Sequence, residues 1–247
     1  MTEAPQRLTR PGARSLAFHR RTGLGPGVVF LGGFRSDMTG TKASALQAWA
    51  DKTDRAFVRF DYIAHGASEG AWETATITQW RQDALDVIDQ LTDGPQILVG
   101  SSMGGWMALL AALARPDRIK ALVLIAPAAD FTEALIWDQL PFHIRTQIEA
   151  EGQWLRPSAY GDPYPITRTL IEDGRRWTVL DKPLPFDGPV RILHGWRDVD
   201  VPWDFGLRVM EHIGSDDVQL TLTKSGDHRL SDPEDLARLL AAVEAVS

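Results

Sequence analysis

The segment Gly100-Ser101-Ser102-Met103-Gly104 stands between a short apolar run, Gln96-Ile97-Leu98-Val99, and a small-residue stretch from Gly105 to Ala114. A serine flanked two residues away on each side by glycine, with a strand before it and a helix after it, predicts a sharp strand-to-helix turn. The glycines are required because a side chain there would collide with the crossing backbone. A serine hydroxyl is a poor nucleophile unless it is exposed and beside a base. Such a turn exposes it and aims the first amides of the helix at the place where negative charge develops. Ser102 is therefore the candidate nucleophile, and the fold must supply a buried strand that ends at it.

Apolar runs alternate with helical patterns along the rest of the chain, the rhythm of parallel strands joined by crossover helices. Strands are expected at 27–31, 56–60, 96–99, 121–125, 190–193 and 218–222, and Ser15 to His19 reads as a first edge strand. Helices are expected over about 42–54, from Ile77 to Leu91, 203–213 and 233–246. The second of these carries Ile77, Trp80, Ala84, Val87, Ile88 and Leu91 on one face, with Thr76 and Gln79 as a capping box. Ser231 and Glu234 stand at the start of the last. The interval 131–187 breaks the rhythm, with Trp137, Trp154, Trp177, several prolines and a helical pattern over 133–150. It is too long for a plain connection. The expectation is one α/β domain over 1–247, a mostly parallel central sheet flanked by helices, with a small helical cap inserted at about 131–187.

At 247 residues, 44% of them hydrophobic and 24% charged, the chain can bury a large core. No apolar run approaches the roughly 18 residues of a membrane span. A net charge of -7 argues against a nucleic-acid partner. The chain has no cysteine, which removes disulfides, a thiol nucleophile and any cysteine metal site, and fits a reducing compartment. Pro5, Pro11 and Gly12 interrupt the arginine-rich N-terminus, and no apolar stretch follows it, so neither a transit peptide nor a secretory signal is expected. Only five lysines against 21 arginines point to a GC-rich, bacterial genome, and the expected location is cytoplasmic.

A serine nucleophile needs a base and an acid that orients the base. Of six histidines, His228 lies in Ser225-Gly226-Asp227-His228, past the strand at 218–222 and before the last helix. That is the carboxyl edge, where open α/β sheets bind ligands. His19 falls in an edge strand and His212 in a helix, His143 belongs to the cap, and His65 and His194 each precede glycine at a strand end. The acid is sought after the strand ending at His194, where Asp198 precedes Val201-Pro202 and completes the order Ser102, Asp198, His228. Asp200 is the runner-up, ahead of Asp227 and Asp130. The two oxyanion amides are expected from Met103 and from Phe34, in the turn Gly32-Gly33-Phe34-Arg35. No metal site is apparent, no cofactor is expected, and the elbow lacks the Gly-Lys-Ser/Thr ending of a phosphate loop.

These residues resemble those of the α/β-hydrolase superfamily. Several longer segments are similar to one branch of it, the mitochondrial palmitoyl-protein thioesterases, also described as mycophenolic acid acyl-glucuronide esterases, with their bacterial homologues. They are Phe30 to Lys42, Arg59-Phe60-Asp61-Tyr62 with Gly66-Ala67-Ser68, Val99 to Trp106, Leu193-His194-Gly195 with Val201-Pro202-Trp203, and Gly226-Asp227-His228-Arg229. The resemblance implies hydrolysis of an acyl ester or thioester of a small molecule or an acylated protein, with Ser102 forming an acyl-enzyme. The cap would set chain length, with Trp137, Leu140, Phe142, Trp154 and Tyr160 as candidates to line an acyl pocket and Arg145, Arg156 or Arg168 to meet a substrate carboxylate. Dehalogenases and epoxide hydrolases of this fold carry aspartate at the elbow, which Ser102 disfavours. A small-ester esterase or a cofactor-free perhydrolase would keep the same three residues. A silent binding module would normally lack one of them.

Overall fold

The computed structural model describes residues 4–157 and 162–247. The strands are β1 (Gln6–Arg10), β2 (Ala13–Arg21), β3 (Leu24–Leu31), β4 (Arg55–Phe60), β5 (Gln96–Ser101), β6 (Ile119–Ile125), β7 (Gln153–Arg156), β8 (Tyr164–Thr167), β9 (Val190–Gly195) and β10 (Val218–Thr223). The α-helices are α1 (Thr41–Thr53), α2 (Ile77–Leu91), α3 (Met103–Ala114), α4 (Phe142–Glu151), α5 (Arg168–Gly174), α6 (Asp204–His212) and α7 (Pro233–Ala245). Eight strands form one sheet in the order β1-β2-β4-β3-β5-β6-β9-β10. Only β1 and β2 run antiparallel to their neighbours, and every pairing from β4 to β10 is parallel.

β5 is buried along its whole length, as a central parallel strand covered on both faces must be. One apolar core joins the sheet to α2, α3 and α6, and a second joins it to α1 and α7. α3 is buried from Met103 through Ala112, so a helix of glycine, alanine and leucine can pass close behind β5. At the start of α2 the Gln79 amide donates to Thr76 Oγ1 and the Thr76 amide to Gln79 Oε1, the expected capping box.

Three local expectations need correction. The edge of the sheet is β1, not 15–19, because Pro11 and Gly12 close a tight hairpin, with Gly12 at φ 72°. The helical pattern over 133–150 is not one helix. A π-helical turn (Thr132–Ile136) and a 3₁₀ turn (Trp137–Gln139) end at Leu140, and α4 starts after Pro141. Proline pushes the residue before it into extended backbone, and Leu140 has ψ 137°. α7 opens at Pro233 as expected, with Asp232 at the N-cap position and Ser231 Oγ donating back to the Arg229 carbonyl. The segment between β6 and β9 also holds an antiparallel ribbon, β7 with β8, that the helical reading omitted.

Candidate active site

Ser102, Phe34, Asp198 and His228 all follow the carboxyl ends of parallel strands, β5, β3, β9 and β10 respectively. Ser102 has φ 55° and ψ −119°, a conformation that a non-glycine residue holds only when its surroundings enforce it. The enforcement is visible. The Ser102 amide donates to the Ile125 carbonyl at 2.9 Å, and its own carbonyl accepts from Gly105 and Ala128. A Cβ on Gly104 would run into the Leu31 and Gly32 carbonyls, and one on Gly100 into the backbone of Gly104. Both elbow glycines are thus demanded by close backbone approach.

Ser102 Oγ lies 3.2 Å from His228 Nε2, and His228 Nδ1 lies 2.8 Å from Asp198 Oδ2. The Asp198 side chain has no exposed surface. Its Oδ1 accepts from the amides of Asp200 at 2.9 Å and Val201 at 2.8 Å. Burial alone would raise this carboxyl, but the hydrogen bonds from His194 and His228 and the Val201 amide outweigh it. They hold the carboxyl well below the usual carboxylate range. Asp198 is therefore a fixed negative charge that keeps a proton on His228 Nδ1 and leaves Nε2 free to accept one from Ser102.

The other candidates are otherwise employed. Asp200 is exposed on the cavity wall. Asp227 Oδ1 accepts from the Arg229 and Leu230 amides, and Asp130 accepts from Val179 and Leu180. His143 is exposed on α4. Asp198, Asp200 and His228 offer ligand atoms within 4.8 Å of one another. The oxygens of Asp198 already accept N–H groups from Asp200, Val201, His228 and His194, so the cluster is built around protons rather than a cation.

Two buried histidines support the site in ways the sequence did not disclose. His194 is fully buried, with Nε2 2.9 Å from the Val201 carbonyl and 3.4 Å from Asp198 Oδ2. Both partners accept, so Nε2 carries the proton, and Nδ1 has no hydrogen-bond partner among the described residues. His65 stands behind the turn that carries Phe34. Its Nε2 accepts from the Arg35 amide at 3.1 Å and its Nδ1 donates to the Ile63 carbonyl at 3.1 Å. Burial lowers its pKa to about 4, with the Arg35 charge acting the same way against the Ile63 hydrogen bond, so it stays neutral and can accept. Arg35 has φ 59° and is pinned there. Asp61 holds the far end of the same turn by accepting from the Met38 amide at 2.7 Å. The only sequence signal for either histidine was a glycine after it at a strand end.

The turn touches the serine directly. A Cβ on Gly33 would stand 3.4 Å from Ser102 Cβ. The Phe34 ring packs edge-on against Trp72, Phe131, Trp80 and Tyr164, with centroids 4.8 to 6.0 Å apart. Phe34, Ser102, Met103 and His228 all line a cavity of about 490 Å³. Met103, Ala128, Phe131, Leu135, Ile136 and Val201 make its apolar wall, and Arg35, Arg156, Tyr164 and Arg229 its polar one.

Trp137, Leu140, Phe142 and Trp154 are not among the described residues that line this cavity, contrary to expectation. Phe142 is 85% exposed, since the restart after Pro141 turns it outward. Trp137 lies beneath the guanidinium groups of Arg145 and Arg175, and Trp154 packs half-buried against the core. Tyr160 lies outside the described residues. Of the three cap arginines, Arg156 is the one found on the wall. Arg145 bonds the carbonyls of Leu140 and Asp138, and Arg168 that of Glu149.

Residues 28–247 match the alpha/beta hydrolase family. The mitochondrial palmitoyl-protein thioesterase ABHD10 of Homo sapiens is 39% identical over 239 residues, 96% of this chain and 78% of that protein. The structure of alpha/beta hydrolase domain-containing protein 10 from mouse superposes with a TM-score of 0.91 at 38% identity, covering 98% of each chain. That of an Agrobacterium vitis S4 protein assigned as a hydrolase gives 0.92 at 41% identity, over 100% of this chain and 98% of that one. With its sheet order, its elbow and these similarities together, the chain belongs to the alpha/beta hydrolase family.

Proposed function

We propose that the protein is a serine hydrolase that cleaves acyl esters and thioesters, with Ser102 as nucleophile, His228 as base and Asp198 as the acid that orients it. One observation carries the reading. Ser102 Oγ is 3.2 Å from His228 Nε2, which is itself tied at 2.8 Å to a buried carboxylate, at the head of a 490 Å³ cavity with an apolar wall. His228 takes the serine proton as Oγ attacks the acyl carbon. The oxyanion forms between the amides of Phe34 and Met103, the residues that flank the serine across the turn and the helix start. Collapse expels the leaving group with the proton from His228, and water then frees the acid by the same route. The chemistry calls for no cofactor.

The segment 131–187 acts as a cap in this reading, because Phe131, Leu135, Ile136, Arg156 and Tyr164 close the cavity over Ser102. The apolar wall suits a long acyl chain, and the thioesterase relative is named for palmitoyl-protein substrates. Arg156 favours one further substrate group, acyl glucuronides, whose carboxylate it would meet. A cytoplasmic, bacterial setting agrees with the cysteine-free, arginine-rich composition. Each buried methylene contributes about 0.8 kcal/mol at most. We expect kcat/KM to rise from acetyl to at least octanoyl esters, with measurable cleavage of a palmitoyl thioester. A preference for acetyl esters and no turnover of long thioesters would leave a small-ester esterase instead.

A further inference from the structure

The turn that carries Phe34 runs into α1 braced along its length. The Arg35 amide is held by His65 and the Met38 amide by Asp61. Asp37 accepts from the Thr39 amide, and the Ser44 hydroxyl donates to the Thr39 carbonyl. The second residue of α1 is Lys42, which the chemistry above does not use. Its side chain is half-buried and lines a small void with Ile125, Leu193, Leu230 and Leu239, all of them buried. Its Nζ donates to the carbonyl of Arg229, the residue after His228. The loop there is tightly wound, with Leu230 at φ 43°, a left-handed conformation that leucine rarely adopts. Within the loop Asp227 Oδ1 accepts from the Arg229 and Leu230 amides, and Ser231 Oγ donates to the Arg229 carbonyl at 3.0 Å. Lys42 reaches that same carbonyl from α1. It thus ties the loop of the base to the helix that continues the oxyanion turn.

Acyl transfer needs the base and the oxyanion amides at fixed places around one carbon, and small misplacements cost rate. Resting on the hydrolase reading above, we propose that Lys42 is a positioning residue. Its ammonium clamps the Arg229 carbonyl, sets His228 relative to Ser102 and the Phe34 turn, and slackens its hold when it loses its charge. Burial pushes this amine down to about 8, with Arg229 acting the same way and Asp227 and Asp235 against it. Of the other charged groups around it, Arg238 faces the void and donates to Asp235 at 2.9 Å, and Asp37 and His228 line a 270 Å³ cavity with Lys42. A charge-assisted hydrogen bond is roughly twice as strong as a neutral one. The neutral amine therefore still meets the carbonyl but fixes it less firmly. Stability follows the opposite course. The folded pKa lies below the ordinary 10.5, so the unfolded chain keeps the proton longer, and this group adds stability as pH rises from 8 to 10.5. A loss of turnover in that window is not a loss of fold through Lys42.

Steady-state kinetics on p-nitrophenyl butyrate from pH 7 to 9.5 reads the clamp. A charge-assisted hydrogen bond is worth about tenfold in rate here, and its charge about half of that free energy, or roughly threefold. Wild-type kcat is therefore expected to fall about threefold as pH rises through 8, with KM nearly constant. Lys42→Met lowers kcat about tenfold at pH 7 and shows no further fall. Lys42→Arg stays charged over the whole range, retains most of the pH 7 kcat and loses the alkaline fall. Lys52→Met, at the exposed far end of the same helix, keeps the wild-type profile. Thermal unfolding checks that each variant is folded, and the wild-type profile stands without any of them. A wild-type kcat that is flat from pH 7 to 9.5 overturns the assignment. So does a fall that persists in Lys42→Met or Lys42→Arg, or a full kcat in folded Lys42→Met. Labelling by a fluorophosphonate separates the two failures. A labelled Ser102 with no alkaline fall counts against the clamp alone, and an unlabelled wild type counts against the hydrolase reading beneath it.

Discussion

Asp198 and Asp200 stand two residues apart in one loop, yet their surroundings give them opposite parts. Asp198 is enclosed and accepts from two histidines and two backbone amides, while Asp200 lends one of those amides and stands exposed on the cavity wall. Replacing Asp198 by alanine should lower kcat by about 10⁴-fold, as loss of the orienting acid does in other triads. Asp200→Ala should cost far less, and steady-state kinetics on a p-nitrophenyl ester decide between them. Chain order, and its place first after the strand and ahead of Val201-Pro202, pointed to Asp198. What the sequence could not convey was that His194 and His65, each followed by glycine, serve as props for the acid and for the Phe34 turn. Their partners, Val201 and Arg35, become neighbours only through the sheet. His65 leaves a thermodynamic mark. Its folded pKa of about 4 lies below the ordinary 6.5, so the unfolded chain binds the extra proton first. Stability is therefore lost as pH falls from 6.5 towards 4, by up to about 3 kcal/mol from this group. Urea unfolding of the wild type should show a steeper loss over that window than His65→Gln. Using the difference removes contributions shared by both proteins, such as that of Asp83, whose carboxyl burial pushes up to about 6 against the Ile63 amide and Arg10. Equal slopes would mean that His65 is already charged in the folded state.

At the scale of elements, the parts that read best were those whose signal is local. α2 announces itself by one apolar face and a capping box, and β5 by an unbroken apolar run. β1 was missed because its polar residues alternate with few buried ones, and because Pro11-Gly12 reads equally well as a helix breaker and as a hairpin turn. The π-helical turn at Thr132–Ile136 has no such signal, since its residues alone would suit an α-helix. The elbow joins local sequence to long-range packing. Gly104 lies in the first turn of α3, yet the space for its missing side chain is taken by the β3 carbonyl of Leu31 and by that of Gly32. Gly104→Ala must push α3 or the Phe34 turn aside, at a cost of roughly 1–3 kcal/mol. Differential scanning calorimetry should register a lower Tm, with a loss of kcat larger than the loss of stability explains. An unchanged Tm and kcat would show that the two segments are free to separate.

Across the whole molecule, the sheet gathers at one edge residues from the ends of β3, β5, β9 and β10 that are far apart in the chain, and Phe131, Leu135, Ile136, Arg156 and Tyr164 line the cavity beside them. The order Ser102, Asp198, His228 was legible because each follows a strand that could be read. The interval 131–187 was not, because its tryptophans advertise burial without saying on which side. Trp137 and Trp154 went to packing, and the cavity wall went instead to Phe131, Leu135, Ile136 and Arg156. The claim on which the rest depends is that Ser102 becomes acylated. Rapid quenching of the protein with a palmitoyl thioester, followed by intact-mass and peptide analysis, tests it directly. We predict one palmitoyl group per chain on the peptide containing Ser102, formed before steady state and abolished in Ser102→Ala together with turnover. An adduct on another residue, Ser101 included, or thioester turnover that survives in Ser102→Ala, would contradict the account.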